Sequence, residues 1–150
     1  MFNIFELSQK VRPLKISSLQ DIGDILQYLL PWAGLLTVAL LGNQTGAWRW
    51  LWSGLAVTGS TFVLKLLFNF TPLGRRPNGD GMAFPSGHTS SAFMGAAFIH
   101  FQFTFGWAIL PYLLAALTGY SRIQSGKHWW RDVIAGAVLA IGLVYTMFLS

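Results

Sequence analysis

The chain has 150 residues, of which 53% are hydrophobic and 10% charged, and its formal net charge is +5. A soluble domain usually carries about 25% charged residues, so this composition excludes an ordinary soluble enzyme and favours one membrane-embedded domain over residues 1–150. There is no cysteine, which excludes disulfides, thiolate metal sites and cysteine nucleophiles.

The N-terminal segment, residues 1–20, mixes apolar and polar side chains and includes Lys10, Arg12 and Lys15. It lacks the pattern of a cleaved signal peptide. We expect a short amphipathic piece that lies on the membrane surface, where its basic residues meet lipid headgroups. A frayed terminus is the alternative.

Five apolar segments follow, at about 22–41, 47–68, 87–105, 108–120 and 128–148. All but the fourth are close to the ~20 residues that cross a bilayer. Asp21 and Asp24 suit the start of the first helix. Pro31 should kink that helix, with a neighbouring helix satisfying the freed carbonyl. The prediction is an all-α integral membrane bundle of about five transmembrane helices with an interfacial N-terminal segment.

Two polar clusters interrupt the apolar segments. The first follows the second helix and reads RRPNGDGMAFPSGH (75–88), and the second follows the fourth helix and reads SRIQSGKHWWRD (121–132). Because the third and fourth helices are joined as a hairpin, both clusters should emerge on the same side. Two histidines and several basic residues would then meet in a site for an anion, and for phosphate in particular.

The first cluster ends in a candidate anion-binding helix start. Ser86 is a good N-cap residue, Gly87 lets a ligand approach the backbone, and a helix N-terminus favours an anion. His88 in the first turn could donate a proton to whatever is bound. An ordinary capped helix with an incidental histidine fits this cluster equally well.

The second cluster contains a candidate nucleophile. His128 and Asp132 are four residues apart, so they share a face if the fifth helix has begun. The carboxylate could accept a hydrogen bond from one imidazole nitrogen and leave the other free to attack. A structural His–Asp pair is the alternative, but ionisable groups at a membrane helix end favour function.

Basic residues beside both clusters suit phosphoryl transfer. Lys65, Arg76 and Arg122 would stabilise the charge that develops on the phosphoryl oxygens. Only Asp80 and Asp132 could supply carboxylates near the clusters, which is too few for a two-metal site. We therefore expect neither a metal nor another cofactor.

These motifs resemble the signatures of the type 2 phosphatidic acid phosphatase family. Ser121-Arg122, His128 and Asp132 resemble the third signature, and the run from Pro85 to His88 resembles the second. Arg76-Pro77 is similar to the end of the first signature. Asn69 stands where the family usually places a lysine; Lys65 is the nearest lysine, and Arg75 is a possible substitute.

The resemblance implies a role for each matching residue. His128 would attack phosphorus and become phosphohistidine, Asp132 would orient it, and His88 would protonate the leaving group. No metal would be required. The phosphoryl oxygens would be held by Lys65, Arg76, Ser86, Gly87 and Arg122, with Arg75 as a further candidate.

The expected function is hydrolysis of a lipid phosphate, with phosphatidic acid, phosphatidylglycerol phosphate, polyprenyl diphosphate and lipid A phosphate all open as substrates. A non-catalytic lipid-binding scaffold and a vanadate-dependent haloperoxidase relative are the alternatives. We expect the protein to be surrounded by membrane lipids and to bind neither nucleic acid nor a partner protein. The resemblance suggests a bacterial inner membrane protein whose site faces the periplasm.

Overall fold

The computed structural model describes residues 18–149, which form five α-helices. Three of these helices, the first, second and fifth, are long and apolar enough to cross a membrane. The predicted all-α membrane bundle is therefore confirmed. The helices are α1 (Leu19–Leu40), α2 (Gln44–Phe68), α3 (Gly87–Gln102), α4 (Phe105–Gln124) and α5 (Trp130–Leu149), with a short 3₁₀ turn at Pro72–Gly74.

Three helices begin three residues before the predicted segments: α1 at Leu19, α2 at Gln44 and α4 at Phe105. α2 starts at Gln44, three residues before the predicted Ala47, because Asn43 caps it by accepting a hydrogen bond from the Gly46 N–H at 2.8 Å. α4 runs over 20 residues and is not short. Of the predicted interfacial segment only residues 18–20 are described, and there Ser18 forms a capping box with Asp21 at the start of α1. Lys10, Arg12 and Lys15 lie outside the described residues.

α3 is the central helix and packs against all four others. Small side chains cover much of its buried surface, which lets neighbouring helices approach closely as is common in membrane bundles. Among them are Ser90, Ala92, Gly95, Ala96 and Ala97.

The contact between α1 and α3 satisfies the carbonyl oxygen that Pro31 leaves without a donor in α1. Proline cannot donate to the carbonyl of Gln27, and the Ser91 hydroxyl of α3 donates to that oxygen at 2.6 Å. A Cβ added at Gly95 would lie 2.4 Å from backbone atoms of Leu30 and Pro31, so the two backbones touch. The expectation that a neighbouring helix satisfies the freed carbonyl is confirmed.

The α3–α4 hairpin places the start of α3 and the end of α4 at one end of the bundle. The loops 69–86 and 125–129 and the first turns of α1 lie at this same end. The Ser86 N–H donates to the Asp132 carbonyl at 2.9 Å and joins the two polar clusters directly. The predicted meeting of the clusters therefore occurs.

Candidate active site

A polar cavity of about 360 Å³ opens at this end of the bundle. It brings together six of the predicted site residues: Lys65, Arg76, Gly87, His88, Arg122 and His128. It is completed by three residues to which the sequence analysis assigned no role in the site: Gln20, Asp24 and Lys127. Four lysines and arginines face one carboxylate, so the cavity favours an anion.

The first loop is shaped by two side chains that hold Met82 from opposite sides. The Lys65 ammonium donates to the Met82 carbonyl at 2.6 Å, and the Asn69 side-chain oxygen accepts from the Met82 N–H at 3.0 Å. Met82 needs this support because its φ of 59° is costly for a residue with a side chain. Asn69, at the position of the family's usual lysine, therefore fastens the loop, while Lys65 reaches the cavity.

Arg75 does not reach the cavity. Arg75 is exposed to solvent, and its backbone carbonyl accepts a hydrogen bond from the Trp129 indole N–H at 2.9 Å. The adjacent Arg76 lines the cavity, and its buried Nε makes no hydrogen bond within residues 18–149. Of the two arginines, only Arg76 is placed to meet an anion in the cavity.

Ser86 and Gly87 have different positions at the start of α3. Ser86 is fully buried and caps the helix, since its Oγ accepts from the Thr89 backbone N–H at 3.5 Å, and it also accepts from the Thr89 hydroxyl at 2.9 Å. It does not line the cavity. Gly87, the first residue of α3, lines the cavity. A Cβ added to it would lie 3.6 Å from the Lys65 side chain.

Arg122 is 3% exposed and joins α4 to α1. Its Nη1 donates to Asp24 Oδ1 at 2.7 Å, its Nη2 donates to the Gln20 carbonyl at 2.6 Å, and its Nε donates to the Ser121 hydroxyl at 3.0 Å. A guanidinium carries five N–H groups, so two remain for a ligand.

His128 and Asp132 lie together, but not on one helical face. α5 begins at Trp130, two residues after His128, and Asp132 folds back to cap it by accepting from the Trp129 N–H at 2.9 Å. That fold brings Asp132 Oδ2 to 3.5 Å from His128 Nδ1. Nδ1 makes no hydrogen bond to the described residues, so the pair is in proximity without a formed bond.

His128 is held in its neutral form. Burial lowers its pKa to about 3, and the positive charges of Lys65 and Arg76, together with His88, act in the same direction. A neutral imidazole keeps a lone pair available for attack on an electrophile.

His88 has a carboxylate partner that the sequence spacing did not reveal. Its Nε2 lies 2.9 Å from Asp24 Oδ1, the same oxygen that Arg122 contacts. The sequence analysis interpreted Asp24 only as an acid suited to a helix start. Because Asp24 and His88 are 64 residues apart, no local pattern could have indicated their contact.

Two curated relatives carry phosphatase names. The chain is 29% identical over 137 residues to "Lipid A 4'-phosphatase" of Helicobacter pylori (strain J99), covering 85% of this chain and 68% of the relative. It is 26% identical over 150 residues to "Lipid A 1-phosphatase" of Porphyromonas gingivalis, covering 93% of this chain and 33% of that relative. The chain thus spans about a third of the longer relative.

A solved structure shares the fold. The crystal structure of Aquifex aeolicus LpxE superposes with a TM-score of 0.74 at 22% sequence identity, covering 99% of this chain and 97% of that one. In sequence, the profile of the PAP2 superfamily matches residues 46–150, which include Lys65 and both polar clusters. This chain is therefore a member of the PAP2 superfamily.

Proposed function

We propose that this chain is a membrane phosphatase that hydrolyses a lipid phosphate monoester or diphosphate, without a metal, through a phosphohistidine. One observation carries the proposal: His88 and His128 meet Lys65, Arg76 and Arg122 in a single cavity at one end of a membrane bundle. The two lipid A phosphatases among its relatives make lipid A phosphate the first substrate to test. Phosphatidic acid, phosphatidylglycerol phosphate and polyprenyl diphosphate follow.

His128 is the proposed nucleophile. Its Nδ1 faces Asp132 across 3.5 Å, which leaves Nε2 for in-line attack on phosphorus. As the N–P bond forms, the bond from phosphorus to the leaving oxygen breaks. The imidazole becomes positively charged, and Asp132, which is fully buried, then stabilises it.

His88 is the proposed general acid. In its protonated, positively charged form, His88 carries an Nε2–H that faces Asp24; this group passes its proton to the leaving oxygen, and His88 is left as a neutral imidazole. His88 then accepts a proton from the water that attacks the phosphohistidine. The N–P bond breaks, inorganic phosphate leaves, and His128 returns to its neutral form.

The basic side chains are proposed to hold the phosphoryl oxygens. Lys65 and Arg76 line the cavity together with two N–H groups of Arg122 that are not used in its contacts with Asp24, Gln20 and Ser121. Gly87 adds the N-terminus of α3. This surplus of positive charge opposes a divalent cation, which supports a metal-free reaction.

Phosphate release by the purified protein in detergent, with a chelator present, tests the proposal. We would compare the wild type with His128→Asn and with His100→Asn, a matched change at a histidine that contacts Tyr112 and lies outside the cavity. Release that survives the chelator, vanishes in His128→Asn and persists in His100→Asn is expected. Equal release from wild type and His128→Asn would refute the proposed nucleophile. No release from any of the four lipids would favour a lipid-binding scaffold.

We also propose a bacterial inner membrane location with the cavity facing the periplasm. The three apolar helices and the bacterial relatives support a membrane protein of this kind. Because the chain has no cysteine, Asn78→Cys on the cavity side and Gln44→Cys at the opposite end can be labelled separately. An impermeant thiol reagent applied to intact cells should label the first and spare the second. The reverse pattern would place the cavity in the cytoplasm.

A further inference from the structure

The guanidinium of Arg76 has no hydrogen-bond or ion-pair partner within residues 18–149. Its Nε is buried without a hydrogen bond, and none of the ion pairs among these residues includes it. By contrast, Arg122 is held by three hydrogen bonds, and the Lys65 ammonium is held by the Met82 carbonyl. The position of the Arg76 charge therefore depends on where the backbone of the first loop carries it.

The backbone at Arg76 is fixed both from within the first loop and from the start of α5. Within the loop, the Arg76 N–H donates to the Asp80 carbonyl at 2.8 Å and the Gly79 N–H donates to the Arg76 carbonyl at 3.0 Å, which closes a turn. From outside, the Trp129 indole N–H donates to the Arg75 carbonyl at 2.9 Å. Because that carbonyl lies in the same peptide plane as the Arg76 nitrogen, Trp129 fixes the orientation of the whole turn.

Arg131 adds a second contact between α5 and the first loop. Its Nη2 donates to the Pro72 carbonyl at 3.1 Å, and its guanidinium carbon lies 5.8 Å from the centre of the Trp129 ring. On its other side, its Nε lies 3.6 Å from Asp132 Oδ1, a buried oxygen that has no hydrogen bond to the described residues. Trp129 and Arg131 together thus form a clasp that closes over the first loop.

The clasp belongs to the same short stretch of chain as the proposed nucleophile. Trp129 follows His128 directly, and its backbone N–H donates to Asp132 Oδ2 at 2.9 Å. One residue therefore contacts the orienting carboxylate through its backbone and the turn that carries Arg76 through its side chain. This connection sets the distance between the nucleophile and a phosphate ligand, and phosphoryl transfer depends on such positioning.

We propose that Trp129 is a positioning residue that acts on the reaction through Arg76, with Arg131 holding the clasp closed. The proposal rests on the proposed phosphatase activity and adds to it a residue outside the predicted set of site residues. Trp129 does not line the polar cavity, so its effect on turnover has to pass through a group that does. Its side chain is 47% exposed, so loss of the indole N–H should disturb the reaction more than the stability of the bundle.

Two adjacent tryptophans provide a matched pair of variants. Trp129→Phe removes the N–H that Arg75 accepts and keeps an aromatic ring beside Arg131. Trp130→Phe makes the same chemical change at a side chain that is 60% exposed and has no hydrogen bond among the described residues. We would measure kcat/KM for phosphate release, together with the thermal midpoint in detergent, for both variants. Each substitution would be made in the wild type and in Arg76→Gln.

The dependence on Arg76 decides whether Trp129 acts through it. We expect Trp129→Phe to lower kcat/KM about tenfold in the wild type, because a displaced Arg76 misses the phosphoryl oxygens. In the Arg76→Gln background the same change should cost less than about twofold, since the group that it positions is gone. Trp130→Phe should be neutral in both, and neither variant should lower the thermal midpoint appreciably. A tenfold loss in both backgrounds, or no loss in the wild type, would overturn the proposal.

Binding of orthovanadate tests the clasp without turnover. This phosphate-like anion can adopt the five-coordinate geometry of phosphoryl transfer, and its affinity for the purified protein can be measured by calorimetry. Trp129→Phe should weaken binding about fivefold, the effect of one hydrogen bond, and should add nothing to the loss in Arg76→Gln. Equal affinity in the wild type and Trp129→Phe would overturn the clasp while leaving the phosphatase proposal intact. Vanadate binding of the expected pattern without phosphate release from any lipid would instead retain the clasp in an anion site and refute the phosphatase proposal. A wild type that does not bind vanadate would refute the role of Arg76 and, with it, the role of Trp129.

Discussion

The Asp24 carboxylate of α1 and the His88 imidazole of α3 form a close pair in the polar cavity, with Oδ1 2.9 Å from Nε2. Arg122 Nη1 reaches the same oxygen at 2.7 Å. Two donors thus converge on one carboxylate oxygen, as they would on a phosphate oxygen. Each proposed catalytic histidine therefore has its own aspartate, since His128 lies beside Asp132.

Removal of the Asp24 charge should affect turnover. We expect Asp24→Asn to lower kcat 10- to 100-fold, because His88 loses the carboxylate that fixes its ring and its proton. Asp21→Asn removes an equal charge one turn away, where the side chain caps α1. It should leave kcat within about threefold and act mainly on stability. Equal losses of kcat in the two variants would mean that any negative charge at the start of α1 affects turnover, and that the contact between Asp24 and His88 has no special role.

The sequence indicates both Lys65 and Arg75 as candidate phosphate ligands, and the structure places only one of them, Lys65, in the cavity. Because only Lys65 lines the cavity, we expect Lys65→Gln to lower kcat/KM about 100-fold or more. Arg75→Gln should stay within about threefold of wild type, since its side chain is exposed. A larger loss in Arg75→Gln than in Lys65→Gln would reverse the assignment.

The neutral state of His128 should make stability depend on pH. Its pKa of about 3 in the folded protein lies below the value of about 6.5 expected in an unfolded chain. Between these values the unfolded chain binds a proton that the folded protein does not, so stability falls as the pH falls. In the middle of this window, near pH 5, the loss approaches about 1.4 kcal/mol per pH unit.

The thermal midpoint in detergent between pH 7.5 and 4.5 measures this effect. Wild type should lose more stability over the range than His128→Asn does. His100→Asn, which changes a histidine outside the cavity, should follow the wild type. Parallel curves for wild type and His128→Asn would show that another group carries the pH dependence.

Close contact between α1 and α3 should make Gly95 intolerant of a side chain. A Cβ at Gly95 would lie 2.4 Å from backbone atoms of α1, so Gly95→Ala must push the helices apart. We expect a loss of about 2 to 4 kcal/mol in the free energy of unfolding. Gly142→Ala on α5, where a Cβ meets nothing within 4 Å, should be neutral or slightly stabilising. Similar thermal midpoints for both variants would contradict the packing described here.

Hydrophobicity and local motifs were sufficient to predict the bundle and most of the cavity. The apolar segments fixed the number and order of the helices, and the hairpin argument placed both polar clusters at one end. Local rules also identified Ser86 as a cap and the need to support Pro31. These features depend on neighbours in sequence or on general membrane physics, so a single sequence contains them.

The remaining features depend on contacts between distant segments. Asp24 belongs to the cavity because Arg122, 98 residues away, reaches it. The choice of Lys65 over Arg75 depends on the path of the loop around Met82, which Asn69 and Lys65 fasten together. The start of α5 at Trp130 likewise depends on how Asp132 folds back over Trp129. No spacing rule specifies such contacts.

The position of α1 has a consequence for how relatives of this chain could acquire different substrate preferences. The PAP2 match begins at residue 46, so α1 lies outside the matched region. Yet α1 contributes Gln20 and Asp24 to the polar cavity. Exchange of this one helix between relatives would alter the surroundings of the leaving group, while the proposed nucleophile and its basic neighbours stay in place. The first helix is thus the part of the chain where a new substrate preference could arise with least change to the chemistry.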